Sequence, residues 1–250
     1  MKKITRIYKK FTFLLKNKID IDKKNLNFST LEEMFTFYGT DKATSVKNQY
    51  DVNSNLIIGH GYSKFYEEHF SSFRKLKFNL LEIGTWLGAS SAAFTKYFNE
   101  ANIFGIDRNF KFKYKSKRIK FYNCDLTDVN DLRKLEKKIN EKQFKIIIDD
   151  GSHILSHIIK NLLFFFKYLE KGGYFVVEDF NAPRNYNYLN DSNNQELFFD
   201  EILFNIKSKN YFKSKILTKS DQNFLFENIE SINIYKGKHE ESDIAFLKKR

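Results

Sequence analysis

The chain has 250 residues, 43 Lys and Arg against 31 Asp and Glu, and a formal net charge of +12. An apolar fraction of 42% beside 30% charged residues supports a sizeable core and excludes global disorder. No apolar run approaches the ~18 residues needed to span a bilayer; the longest are short pieces such as LLFFF at 162–166.

The charge is uneven. Residues 1–24 carry a net +7, residues 108–120 (RNFKFKYKSKRIK) another +7, and the rest of the chain −2. The body is therefore nearly neutral, and no nucleic-acid partner is expected from the charge.

Taken in chain order, residues 4–15 set Ile4, Ile7, Tyr8, Phe11, Leu14 and Leu15 at helical spacing, with lysines and Arg6 on the other side. This basic amphipathic arm has three readings: a homo-oligomer contact, a membrane-surface anchor, or an arm packed on its own domain. Its apolar piece, FTFLL at 11–15, is too short and too interrupted for a secretory signal. A second helix is expected near 30–38, opened by the Thr30/Glu33 capping pair and closed by Gly39. A third is expected around 63–74.

From residue 77 short apolar strands alternate with helices. Strands are expected at 78–83, 102–107, 121–125, 144–149 and 174–178. Helices are expected at 88–99, 128–140, 153–170 (ending at Gly172-Gly173) and 194–207. Segments 211–218, 230–235 and 243–248 read as closing strands. The fold class is α/β: a doubly wound, mostly parallel sheet with an antiparallel C-terminal hairpin and N-terminal helices. The expected division is an arm at 1–24, a helical cap region at 25–76 and the sheet core at 77–250. Cys124 is the single cysteine, so no intramolecular disulfide or cysteine cluster is expected, and a cytoplasmic setting suits it.

In such sheets ligands bind where the strands end. The first strand runs into LLEIGTWLGAS (80–90), with Glu82, Gly84, Gly88 and Ser90 around a tight turn that feeds a helix. The next strands end on Asp107 and Asp125, suited to ribose hydroxyls and an adenine amino group. The turn reads G-T-W-L-G-A and lacks the middle glycine of the dinucleotide fingerprint G-x-G-x-x-G, which argues against a dinucleotide oxidoreductase. The fourth strand gives IIIDDGSHILSH (146–157), with Asp149 and Asp150 at its end, Ser152 as a helix cap and His153 opening the helix. The fifth ends VVEDF, with Glu178 and Asp179. Three carboxylates on one rim repel one another unless a cation joins them, and oxygen donors suit a hard divalent ion. Zinc is the weaker reading, because His153 and His157 lack the glutamate of H-E-x-x-H; His157 reads as a packed or supporting histidine.

Together these pieces resemble a known group. YGTDK (38–42), HGYSKFYE (60–67), LLEIGTWLGAS, FGID (104–107), IIIDDGSH and GGYFVVED (172–179) are similar to the metal-dependent sugar O-methyltransferases. This is the macrolide-sugar and cephalosporin-hydroxylase-like branch of the class I, Rossmann-like S-adenosylmethionine-dependent methyltransferases. The resemblance covers about 36–180. It implies S-adenosylmethionine as cofactor, with Glu82, Gly84, Gly88, Ser90, Asp107, Asp125, Asp149, Thr40 and Tyr62 as candidate contacts and Asp41 beside them. It implies a divalent metal, Mg²⁺ or Mn²⁺, on Asp150, Glu178 and Asp179, and His153 as general base beside Asp150. A helix N-terminus at His153 would keep the imidazole neutral. The expected acceptor is a sugar hydroxyl, with a nucleotide-activated sugar for a bacterial surface polysaccharide as the finer expectation. A catechol-like diol is the alternative acceptor, and a peripheral membrane or scaffold protein the non-enzymatic alternative. The lysine-rich loop reads either as a contact for the phosphates of such a substrate or as a solvated loop.

Overall fold

The computed structural model describes residues 2–23, 26–47, 55–192 and 195–250. The chain opens with α1 (Lys2–Leu15) and β1 (Ile19–Asp20), then α2 (Leu31–Tyr38), the hairpin β2 (Ser45–Lys47) and β3 (Leu56–Ile58), and α3 (Ser63–Phe70). The core follows as β4 (Asn79–Ile83), α4 (Ala89–Tyr97), β5 (Asn102–Asp107), β6 (Tyr114–Lys115), β7 (Ile119–Asn123), α5 (Val129–Ile139) and β8 (Phe144–Asp149). It closes with α6 (Leu155–Phe166), β9 (Leu169–Glu178), α7 (Ala182–Asn185), α8 (Phe199–Ser208), α9 (Lys219–Asn228), β10 (Ile229–Lys236) and β11 (Asp243–Lys249).

The main sheet has seven strands in the order β10-β11-β9-β8-β4-β5-β7. The β9-β8-β4-β5-β7 pairings are parallel, and β11 and β10 are antiparallel additions. From β4 the chain steps outward to β5 and β7, then returns to the other side of β4 as β8. The reversal lies between β4 and β8, which opens a crevice at their carboxyl ends. Each face of the sheet carries its own core. One is built on α5, α6, α8 and α9, around residues such as Leu135, Ile159, Phe165, Leu203 and Leu225. The other is built on α2, α3 and α4, around Phe35, Tyr66, Phe70 and Phe94.

Local sequence explains most elements. Thr30 and Glu33 form the reciprocal cap of α2, and Gly39 ends it in the left-handed region. Asp128 caps α5 by accepting from the backbone N–H groups of Asn130 and Asp131.

Four expectations are corrected. α6 begins at Leu155, so His153 stands in the turn before the helix, not at its first position. The Gly172-Gly173 pair does not end a helix; β9 runs through it from Leu169, with a register shift against β8. The strand expected at 121–125 lies earlier, at Ile119–Asn123. Segment 211–218 is not a strand. There the amide of Gln222 serves as the partner for the backbone: it accepts from Phe212 N–H at 3.1 Å and donates to the carbonyls of Phe212 and Leu217 at 3.0 and 3.1 Å. α9, missed from sequence, starts on Thr218 and Asp221, which form its capping box.

The arm is tied to the domain. Phe13 is buried between Phe110 and Phe121, with ring centroids 5.6 and 5.5 Å away. β1 pairs in parallel with β6, Ile19 facing Tyr114 and Asp20 facing Lys115. Within the basic stretch, Arg118 is not a solvated charge: its guanidinium donates to the carbonyls of Thr95, Phe98 and Ala101 around the end of α4.

Phe35 of α2 links the N-terminal helices to α4, packing edge-on against Phe94 of α4 at 5.3 Å and Tyr66 of α3 at 6.1 Å. It is fully buried. Phe35→Ala is expected to cost about 3–5 kcal/mol in urea-induced unfolding; a loss below about 1 kcal/mol would show that these helices do not share the core.

Candidate active site

The crevice between β4 and β8 holds a cavity of about 870 Å³ lined by Thr40, Gly84, Trp86, Asp107, Asp125 and Asp150, among others. Its floor depends on a glycine. Gly84 has φ +88°, and a Cβ there would stand 1.8 Å from the carbonyl oxygen of Asp150. Asp150 N–H donates to the Ile83 carbonyl at 3.0 Å, so the turns after β4 and β8 are in direct contact. Gly88, at φ +86°, lets the ring of Phe112 approach to where its own Cβ would be.

The expected cofactor residues divide into two groups. Thr40, Gly84, Ser90, Asp107 and Asp125 line the cavity. Asp107 accepts from Trp86 N–H at 2.8 Å and Asn109 N–H at 2.6 Å. A carboxylate has about four lone-pair sites, so capacity for ligand hydroxyls remains. Asp125 accepts from both the backbone and the hydroxyl of Thr127. The hydroxyl of Thr85, in the same wall, is buried without a hydrogen-bond partner among the described residues.

Glu82, Gly88, Asp149 and Tyr62 lie outside the lining. Glu82 is fully buried and accepts from the hydroxyls of Ser90 and Ser91, so it anchors the start of α4 from inside the sheet. Burial raises its carboxyl above the ordinary range. Asp149 points inward, takes a hydrogen bond from Asn161 at 3.0 Å, and is pushed up to about 7 by burial. Tyr62 turns to the acidic rim, where its hydroxyl donates to Asp179.

That rim is the most charged part of the site. Asp150, His153 and Asp179 can each offer a donor atom, all within 4.8 Å of one another. His153 Nε2 stands 3.6 Å from Asp150 Oδ1. Glu178, expected as the third carboxylate of a metal set, does not join this group. The Lys42 ammonium, only 1% exposed, donates to Asp150 Oδ2 and, at 2.7 Å, to Glu178 Oε2. The other oxygen of Glu178 accepts from the Tyr66 hydroxyl.

Burial alone would lower Lys42, but Asp150 and Glu178 facing it hold its ammonium well above the usual range. Burial pushes Glu178 and Asp179 upward, against the pull of Lys42 on the one and His60 on the other. One fixed ammonium thus serves two of the three acids, Asp150 and Glu178, and leaves Asp179 to Tyr62 and His60. Two carboxylates around a common space suit a hard divalent cation, and the His153 imidazole stands beside them.

Backbone strain gathers at the same place. His153, Asp179 and Trp86 have φ of +54°, +49° and +46°, in the left-handed region that non-glycine residues rarely adopt. Such strain persists where the surroundings over-determine it, commonly at functional sites.

Three partners were missed from sequence: Lys42, His60 and Tyr66. All lie in the YGTDK and HGYSKFYE motifs, which backbone bonds hold together, His60 N–H to Asp41 O at 2.6 Å and Tyr62 N–H to Lys42 O at 2.8 Å. His60 contacts Asp179 at 3.4 Å and Ser242, before β11. A lysine within a motif that precedes an acidic rim was the available signal.

Removing Lys42 strands a buried negative charge. In metal-free protein Lys42→Met is expected to destabilise by about 3–5 kcal/mol, and adding Glu178→Gln should recover part of that loss. Thermal unfolding of the single and double variants measures both; strictly additive losses would contradict the coupling.

A family model described as FtsJ-like methyltransferase matches residues 66–231, more than half of the chain. A 2'-O-methyltransferase of 8-demethyl-8-alpha-L-rhamnosyl tetracenomycin-C from Streptomyces olivaceus is 33% identical over 127 residues, covering 48% of this chain and 33% of that protein. The mycinamicin VI 2''-O-methyltransferase of Micromonospora griseorubida is 30% identical over 127 residues, covering 48% and 31%. The match thus spans about a third of the length of these curated relatives. Among solved structures, the MycE methyltransferase of the mycinamycin biosynthetic pathway, in complex with Mg, SAH and mycinamycin VI, superposes with a TM-score of 0.66. That likeness, at 22% identity over 89% of this chain and 55% of that one, carries the fold. With this sheet, this strand-end cavity and that family match, the chain belongs to the FtsJ-like methyltransferases.

Proposed function

We propose that the protein is an S-adenosylmethionine-dependent O-methyltransferase acting on a sugar hydroxyl with the help of a divalent metal. The observation that carries this reading is the meeting of Asp150, His153 and Asp179 beside the strand-end cavity. Support for a sugar comes from the printed activities of the tetracenomycin and mycinamicin relatives.

S-adenosylmethionine, when bound, supplies an already activated sulfonium methyl. A hard divalent ion, when bound, lowers the proton affinity of a hydroxyl it coordinates, and Asp150 and Asp179 would hold it. The remaining work falls to the chain. Thr40, Asp107 and Asp125 line the cavity in which the cofactor would be oriented. Lys42 and Tyr66 fix Glu178, and Tyr62 and His60 fix Asp179, so the rim is set before substrate arrives. The Nε2 of His153 would take the acceptor's proton, and Asp150 beside it would stabilise the resulting imidazolium. His153 precedes α6, so it stands beside Asp150 in the turn before the helix and not on the helix terminus.

A nucleotide-activated sugar for a surface polysaccharide is the finer reading. Its support is three basic side chains in the cavity lining, Lys47, Arg108 and Lys160, which suit phosphate groups.

His153→Ala is expected to leave S-adenosylhomocysteine affinity, read by calorimetry, within about twofold and to lower turnover about 10²–10⁴-fold. Full turnover in that variant would contradict the base assignment. Dialysis against EDTA should abolish methyl transfer to nucleotide-sugar acceptors, and Mg²⁺ or Mn²⁺ should restore it. Activity indifferent to EDTA would remove the metal, and exclusive turnover of catechols would remove the sugar.

A further inference from the structure

The two basic segments, far apart in sequence, lie side by side in the fold. β1 at the end of the arm pairs with β6 inside the segment 108–120, and Phe13 of α1 sits between Phe110 and Phe121. Each segment carries +7 in the sequence, and exposed lysines of both lie on one part of the surface. Lys9, Lys10 and Lys16 are exposed on the arm, and Lys113 and Lys117 on the neighbouring segment.

The orientation of α1 is the second observation. An amphipathic helix normally turns its apolar stripe toward the domain it packs on. Among the described side chains of α1, only Phe13 is buried. At about 100° per residue, Phe11 and Leu15 lie roughly 160° around the helix from Phe13, and Tyr8 roughly 140°. All three face solvent: Tyr8 is 67% exposed, Phe11 61% and Leu15 69%, with Leu14 beside them at 66%. Among the described side chains, the Phe13 ring is held by the domain while Tyr8, Phe11, Leu14 and Leu15 face outward, with Lys9, Lys10 and Lys16 exposed on the same helix and its C-terminal end. No helix among the described residues is long and apolar enough to cross a membrane.

We propose that this face docks on an anionic lipid surface, with Tyr8, Phe11, Leu14 and Leu15 entering the interface and the surrounding lysines meeting acidic headgroups. Charge decides the occupant. A second copy seated on the same face would set one +7 arm against another as it covered the row. A nucleic acid would satisfy the lysines but leave four large apolar side chains in water. An anionic bilayer satisfies both, as interfacial helices with an apolar row and basic flanks do. The inference is independent of the reaction assigned to the cavity.

Co-sedimentation of the full chain with lipid vesicles tests it, comparing pure phosphatidylcholine with phosphatidylcholine containing about 30 mol% phosphatidylglycerol at about 50 mM salt. Binding is expected to the anionic vesicles and not to the neutral ones, and should weaken about tenfold or more near 500 mM salt. Phe11→Ser with Leu15→Ser, both outside the core, should weaken it about tenfold or more, and Lys113→Glu with Lys117→Glu, which leaves the helix intact, by a similar factor. No binding at low salt, or undiminished binding by the serine variant, would overturn the proposal. So would a stable wild-type dimer that the serine variant dissolves, which assigns the row to a second copy. Duplex DNA binding stronger than vesicle binding and insensitive to the serine changes would overturn it as well.

Discussion

The site is organised around one buried ammonium. Lys42 reaches from the segment between α2 and β2 into the carboxyl edge of the sheet and closes on Asp150 and Glu178, which end different strand steps. A lysine placed there cannot be left unpaired, because burial would drive off its proton; the two carboxylates cannot be left unpaired either. Each charge fixes the others. The N-terminal helices are thereby tied to the carboxyl edge of the sheet by charge as well as by the aromatic packing of Phe35, Tyr66 and Phe94.

The same constraint explains why the rim suits a further cation. Lys42 serves Asp150 and Glu178 and leaves Asp179 to a tyrosine hydroxyl and a histidine. Asp150 turns its second oxygen toward His153. The backbone at His153 and Asp179 is strained into that geometry, and close contact between Gly84 and Asp150 holds the two turns together. The strand-end cavity and the acidic rim thus meet at Asp150, which borders both. A methyl donor in the one and an acceptor at the other would be neighbours, as in-line transfer requires.

Much of this was legible in the sequence, and the exceptions have physical causes. The parallel strands were readable because both faces are buried and the apolar runs are nearly continuous. The convergence of Asp150, Glu178 and Asp179, with His153 beside them, could be expected because strand ends in a parallel sheet share one edge; the structure groups Asp150 and Asp179 with His153 and leaves Glu178 to Lys42 and Tyr66. What failed was tertiary. Glu82 looks like a ligand at a strand end, yet it faces two serines inside the sheet. Lys42 reads as one lysine among many until the chain folds it under a carboxylate pair. The glycine pair before Tyr174 signals a stop equally for a helix and for a bulge, and here β9 passes through it. α9 has too little apolar periodicity to announce itself, and Gln222 gives the segment before it a backbone partner that no pattern foretells. The net charge pointed to two loci without revealing that they adjoin, which the β1–β6 pairing and the seating of Phe13 between Phe110 and Phe121 establish.

The central claim is that the strand-end acids form a cation site held ready by Lys42. Titration of Mn²⁺ by electron paramagnetic resonance, with S-adenosylhomocysteine present, tests it without relying on turnover. One bound Mn²⁺ per chain is expected, weakened about tenfold or more by Asp179→Asn and by Asp150→Asn. Absence of bound Mn²⁺, or binding that both substitutions leave unchanged, would contradict the account.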